Sequence, residues 1–170
     1  MDITEIILND HHEQRRMFAL LDEMHAAEPG QATAVWERLR ILLEVHAKAE
    51  ELLFYPVLLT LGKNAGANGS PGEETKDAIH DHNEIRDAIH DVAAHDAGSD
   101  SWWSAIANVN KVNGDHMAEE EREGLTDFRR HVSLDERHTI AVAFCAFEAA
   151  HAAGIEPHDI DPEDYVKDRQ

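Results

Sequence analysis

The chain of 170 residues has one cysteine, Cys145, so an internal disulfide is excluded and the cytoplasm is the simplest compartment to expect. Positive charge is scarce: 15 Lys and Arg stand against 35 Asp and Glu, a formal charge of -20. A field of that sign repels the phosphate backbone and anionic bilayers, so neither nucleic acid nor a membrane surface is an expected partner. Long apolar runs are missing as well. Nothing approaches the roughly 18 uninterrupted apolar residues of a spanning helix, and the N-terminus lacks a basic segment followed by an apolar stretch. Neither an anchor nor a signal peptide is therefore expected. The remaining balance, 42% hydrophobic and 29% charged, suits one globular domain with its own core.

Apolar residues recur at helical spacing and strand-like alternation is absent. Ile3, Ile7, His11, Gln14, Phe18 and Leu21 share a face and predict a first helix over about residues 3–27, closed by Pro29-Gly30. A second is expected over about 32–61, with Val35, Leu39, Leu42, His46, Glu50 and Leu53 on one side. Pro56 predicts a kink or an early stop within it. Residues 62–72, rich in Gly and Asn, read as a loop. A third helix, about 73–95, turns Ile79, His82, Ile85, Ile89 and Val92 inward, and Gly98-Ser99-Asp100-Ser101 supplies the next turn with its caps. The fourth, about 102–123, carries Ile106, Val109, Asn113, His116 and Glu120; a fifth is expected over about 126–153, packed through Phe128, Ile140, Phe144 and Phe147. The predicted fold is all-α: an up-and-down four-helix bundle over about 3–123 with an additional C-terminal helix, together forming one domain, 1–154. Residues 155–170 read as a short acidic tail or surface strap.

Two copies of one pattern lie inside these helices: His46-Ala47-Lys48-Ala49-Glu50 and His116-Met117-Ala118-Glu119-Glu120. One helical turn separates imidazole from carboxylate, so both point to one side. The other two long helices each offer one inward histidine, His11 rather than His12 and His82 rather than His80, chosen by the apolar stripes around them. The second and fourth helices run the same way, so the two pairs face each other. Burying two carboxylates without compensation is costly, whereas metal charge holds them ionised. Four imidazoles and two carboxylates suit two iron, manganese or zinc ions, with positions left open for water, oxide, a small gas or peroxide. Asp10, Glu51 and Asp81 either orient imidazoles through their far nitrogens or lie on solvated faces. Tyr55 is expected to pack, with a hydrogen bond or coordination as the alternative; Cys145 is expected to be buried, and His131 and His138 to back the site or simply pack.

Asp10-His11-His12-Glu13, His46-x-x-x-Glu50-Glu51-Leu52-Leu53-Phe54-Tyr55-Pro56, Asp81-His82-Asn83-Glu84-Ile85 and His116-x-x-x-Glu120-Glu121, in that order, resemble the bacterial hemerythrin-like, or HHE cation-binding, domain. The resemblance implies two non-haem iron ions, oxo- or hydroxo-bridged, inside a four-helix bundle. His11, His46, His82 and His116 would be nitrogen ligands, and Glu50 and Glu120 bridging or terminal carboxylates. It also implies a small ligand: dioxygen, hydrogen peroxide or nitric oxide. Oxygen-carrying relatives have a second histidine one turn after the position of His82, where Arg86 stands here. The more open iron this implies favours peroxide decomposition, nitric oxide binding or redox sensing over reversible oxygen carriage. The alternative is a non-catalytic iron, oxygen or redox sensor. A ferritin-like iron oxidase or store fits less well, since it uses Glu-x-x-His, the reverse order at a shorter spacing.

Overall fold

The long helices begin where side chains can hold their free amides. In the computed structural model, which describes residues 1–26, 29–63 and 70–169, Asp2 accepts from the Thr4 amide at 3.0 Å and starts α1 (Ile3–Asp22). A capping box of Ser70 and Glu73 starts α4 (Pro71–Val92), and Ser99 accepts from the Trp102 amide to start α5 (Asp100–Arg122). α2 (Pro29–Ala49) opens on its proline. Pro29 thus begins the second helix instead of closing the first, because a missing N–H costs nothing at a first helical position. α1 stops at Asp22, short of the expected 27; residues 27 and 28, like most of the 62–72 loop (64–69), lie outside the described residues.

The irregularity expected from Pro56 is a widened, π-type turn over Glu50–Phe54, which leads into α3 (Tyr55–Leu61). The Tyr55 amide reaches five residues back to the Glu50 carbonyl. Pro56 has no N–H to close onto Leu52, and its ring pushes that carbonyl away, so the turn opens. The Glu51 carbonyl thereby loses its helical donor, and the Tyr165 hydroxyl donates to it instead.

The single fifth helix expected over 126–153 is corrected to two, α6 (Gly124–His131) and α7 (Leu134–Ala150). Val132 is extended, and Ser133 caps α7 by accepting from the Glu136 amide while its hydroxyl donates to the Glu136 carboxylate. That Ser-x-x-Glu start signal outcompetes a continuous helix. Residues 155–170 carry α8 (Pro162–Lys167), which lies against α4 with Tyr165 and Val166 buried. Cys145, expected inside, is only partly buried.

α1, α2, α4 and α5 form a four-helix bundle, with α7 laid over α1 and α2. Its apolar core falls into two halves. One is built around Phe18, Trp36, Leu39, Ile89, Trp102 and Val109; the other around Ile3, Ile7, Phe54, Leu58, Phe128 and Phe144. His11 lies between Ile7 and Met17, His46 between Leu43 and Ala49, and His82 between Ile79 and Ile85. The break between the halves is therefore a polar layer spanning all four helices.

Candidate metal centre

His11, His46, His82, His116, Glu50 and Glu120 are all buried, and the structure brings them together at one level. Five of them form two interlocking triads, His11–His46–Glu50 and Glu50–His82–His116, whose donor atoms lie within 4.8 Å of one another in each, and Glu120 lies beside His11. Glu50 divides its oxygens between them. Oε1 is 3.0 Å from His46 Nε2, and Oε2 is 3.3 Å from His82 Nε2. His82 Nε2 lies 3.2 Å from His116 Nε2, and Glu120 Oε2 lies 3.4 Å from His11 Nε2.

Each imidazole has a carboxylate behind its outer nitrogen. Glu121 stands 2.9 Å from Nδ1 of His11, Asp10 3.3 Å from that of His46, Glu51 3.2 Å from that of His82, and Asp81 3.4 Å from that of His116. An acceptor there favours a proton on Nδ1 and leaves Nε2 free as a ligand. The pattern is pseudo-twofold. The Asp preceding each lone histidine serves the His-x-x-x-Glu histidine of its own half, and the second Glu of each Glu-Glu pair serves the lone histidine of the other half. Glu121 was missed as an orienting residue, although its repetition of the Glu50-Glu51 dyad was a usable signal.

Tyr55 takes the hydrogen-bonding alternative rather than packing alone: it donates its hydroxyl to Glu120 Oε1 at 2.9 Å. Burial, then the charges of Glu120 and Glu50, hold its phenol well above the ordinary value, so it remains a donor. Arg86 is buried but turned away from the triads: it binds Glu51 and donates to Asn83 Oδ1 at 3.0 Å. It therefore fastens the carboxylate behind His82. His131 pairs with Asp127 and His138 with the Met1 carbonyl, both apart from this layer.

The donors fit metal ions. His11 Nε2, His46 Nε2, both Glu50 oxygens and Glu120 Oε2 are buried with no hydrogen-bond partner among the described residues, an arrangement that is costly unless a cation completes it. Burial opposes charging His82, yet Glu50 and Glu51 prevail and push its pKa up to about 9 without metal. Burial likewise opposes ionising Glu51, but His82 and Arg86 bring it down to about 2. In the metal-free protein His82 thus contributes stability that is complete below about pH 6.5 and fades as pH rises through about 9; that of Glu51 is complete above about pH 4.5 and fades through about 2. A proton on His82 must leave before a metal binds. Metal uptake at about pH 7 is expected to release protons, with affinity rising toward about pH 9. Calorimetry in buffers of different ionisation enthalpy measures that release, and a proton-neutral uptake contradicts it.

Glu74 lines a small pocket together with Tyr55, His116 and Glu120. Burial first, then Asp127, Glu123, Glu120 and Glu119, pushes the Glu74 carboxyl up to about 7. A raised carboxyl costs stability once pH exceeds its unfolded value near 4.5, and the full cost is reached above about 7. Glu74→Gln is accordingly expected to raise the Tm of the metal-free protein at about pH 8 and leave it unchanged at about pH 4. Equal shifts at both would show that ionisation of Glu74 is not the cause.

A four-helix bundle divided by two carboxylate-linked histidine triads defines the class: a binuclear metal-binding bundle. The profile described as Hemerythrin HHE cation binding domain matches residues 2–143, and the chain belongs to that family. Its two triads are those of a non-haem di-iron, small-molecule-binding protein. No curated protein and no solved structure matches the chain. Among the described residues no helix is long and apolar enough to cross a membrane.

Proposed function

We propose that the chain is a cytoplasmic di-iron protein that takes dioxygen, hydrogen peroxide or nitric oxide as its small ligand and decomposes hydrogen peroxide. The division of the Glu50 oxygens between the two triads carries this reading, because one carboxylate so placed can bridge two ions. His11, His46, His82 and His116 would hold the pair together with Glu50 and Glu120. Two such ions would relay to one peroxide the two electrons that a second gives up on oxidation to dioxygen, and with the two protons so released the first would become two waters. Six side chains do not saturate two six-coordinate ions, and Arg86 adds no donor, which leaves room for a ligand.

The chain's own residues do the rest. Asp10, Glu51, Asp81 and Glu121 hold the imidazoles by their outer nitrogens, so each ring presents Nε2 inward. Tyr55 keeps its proton and holds Glu120 Oε1, which leaves Oε2 facing His11. The apolar halves of the core above and below exclude bulk water. The lone Cys145 agrees with a reducing compartment. Metal analysis of freshly purified protein, paired with optical spectra before and after peroxide, tests the reading. About two irons per chain with charge-transfer bands, and oxygen release far beyond the iron present, are expected. Iron without turnover would indicate a sensor instead, and failure to take up iron under reducing conditions would remove the di-iron reading altogether.

A further inference from the structure

On the face of the histidine layer away from Glu50 and Glu120, each histidine has a neighbour one turn along its helix: Gln14, Leu43, Ile85 and Asn113. Together with Ala47 and Met117 they enclose a small chamber whose remaining walls are the four imidazoles. Leu43 and Ile85 make two sides apolar, whereas Gln14 and Asn113 place two buried primary amides in the other two. Buried amides are normally hydrogen-bonded in full, since each unpaired group forfeits its bonds to water. Here one is not. Asn113 donates Nδ2 to Gln14 Oε1 at 2.9 Å, with Met117 Sδ 3.7 Å away, and this contact fixes the Gln14 amide with its carbonyl toward α5. The Gln14 Nε2 group, on a side chain only 1% exposed, is left without an acceptor among the described residues.

We propose that Gln14 Nε2 is the hydrogen-bond donor for the small ligand, which occupies this chamber above the imidazoles. The inference rests on the di-iron reading and adds to it the chemistry that selects the ligand. The chamber holds two N–H bonds with no protein acceptor, while both candidate metal-binding carboxylates lie on the opposite face, so no anionic side chain competes there. The enclosure has room for about one water-sized group, so it receives only the outer end of a very small molecule. Such a molecule is favoured when its outer atom carries a lone pair and negative charge, because a charge-assisted hydrogen bond in an apolar enclosure is the stronger kind. Small anions and reduced oxygen or nitrogen species, peroxide among them, meet that description, which narrows the proposed set of dioxygen, peroxide and nitric oxide toward peroxide. Asn113 acts as a positioning residue that holds the donor in place.

Azide is a suitable probe, being small, linear, anionic and optically visible on ferric iron. Iron-loaded wild type and Gln14→Met, which keeps the length of the side chain but has no donor, are titrated with azide at equal iron content. The variant is expected to bind about tenfold more weakly, a difference of about 1.4 kcal/mol. Exchange from H2O to D2O is expected to shift the azide antisymmetric stretch in wild type, and to shift it less in the variant. Unchanged affinity and an unchanged isotope response at full iron content would overturn the role of Gln14 and leave the metal centre standing. Should Gln14→Met fail to hold iron, the wild-type isotope response decides alone, and its absence overturns the proposal. A wild-type chain that takes no iron overturns the di-iron reading and this inference with it.

Discussion

Glu50→Gln is expected to lower the iron content of the reconstituted chain from about two ions to fewer than one, without unfolding the bundle. Both triads use this residue, and each of its oxygens approaches a different histidine. Glutamine keeps the volume but replaces one oxygen by an NH2 group and removes the charge that offsets two cations. The same substitution also weakens the metal-free protein. There Glu50 is fully buried; burial opposes its ionisation, but His46 and then His82 hold it well below the usual carboxylate range. Removing one partner from such a buried charged cluster leaves His46 and His82 without their counter-charge, and a carboxylate held below its ordinary range stabilises the fold at neutral pH. The expected pair of results is therefore a Tm in chelator below that of wild type at about pH 7, and loss of the rise that iron gives to wild type. Exposed His158 provides the contrast, and His158→Ala leaves both readings unchanged. Retention of two irons by Glu50→Gln would contradict the bridging role.

Which histidines and carboxylates face inward was legible from periodicity, because an inward histidine interrupts an apolar stripe and a carboxylate one turn away must share its face. Ile7-His11-Gln14 and Ile79-His82-Ile85 separate the inward histidines from His12 and His80 for that reason. Partners joined across the bundle were harder to read. Neither the bond from Tyr55 to Glu120, 65 positions apart, nor the turning of Arg86 toward Glu51 follows from a local period. Each depends on how two helices are rotated against each other, and the widened turn at Glu50–Phe54 adds its own rotation just where Tyr55 and Glu51 project. Pro56 announced an irregularity, but a kink, a stop and a π turn are alternative answers to one missing N–H. The break at Val132–Ser133 is a different case, since its Ser-x-x-Glu signal was present and was outweighed by apolar spacing that continued across it. α8 was obscured by composition: six residues among acids and prolines carry little periodic signal, and only Tyr165 and Val166 are buried.

Those two residues give α8 a larger effect than its length suggests. Tyr165 is 2% exposed, and its hydroxyl is the donor for the Glu51 carbonyl that the π turn releases. Around it the segment is tied to α4 beside His82. Asn83 donates to the Ile160 carbonyl at 2.8 Å and accepts from the Ile160 amide at 3.1 Å, while Lys76 pairs with Glu163 at 2.6 Å. Tyr165→Phe keeps the ring and leaves the carbonyl unpaired, which is expected to cost about 1–3 kcal/mol. Tyr165→Ala also empties the ring's place in the core, for a total of about 3–5 kcal/mol. At about 2–4 °C per kcal/mol for a chain of this size, the alanine variant should melt roughly 10 °C lower. The two substitutions separate packing from capping. If the hydroxyl holds the π turn, and with it Glu50 and Glu51, then Tyr165→Phe releases iron to a chelator faster than wild type even where both are fully folded. A phenylalanine variant with wild-type Tm and wild-type iron release would show that the turn stands without this cap, and that α8 contributes only buried area.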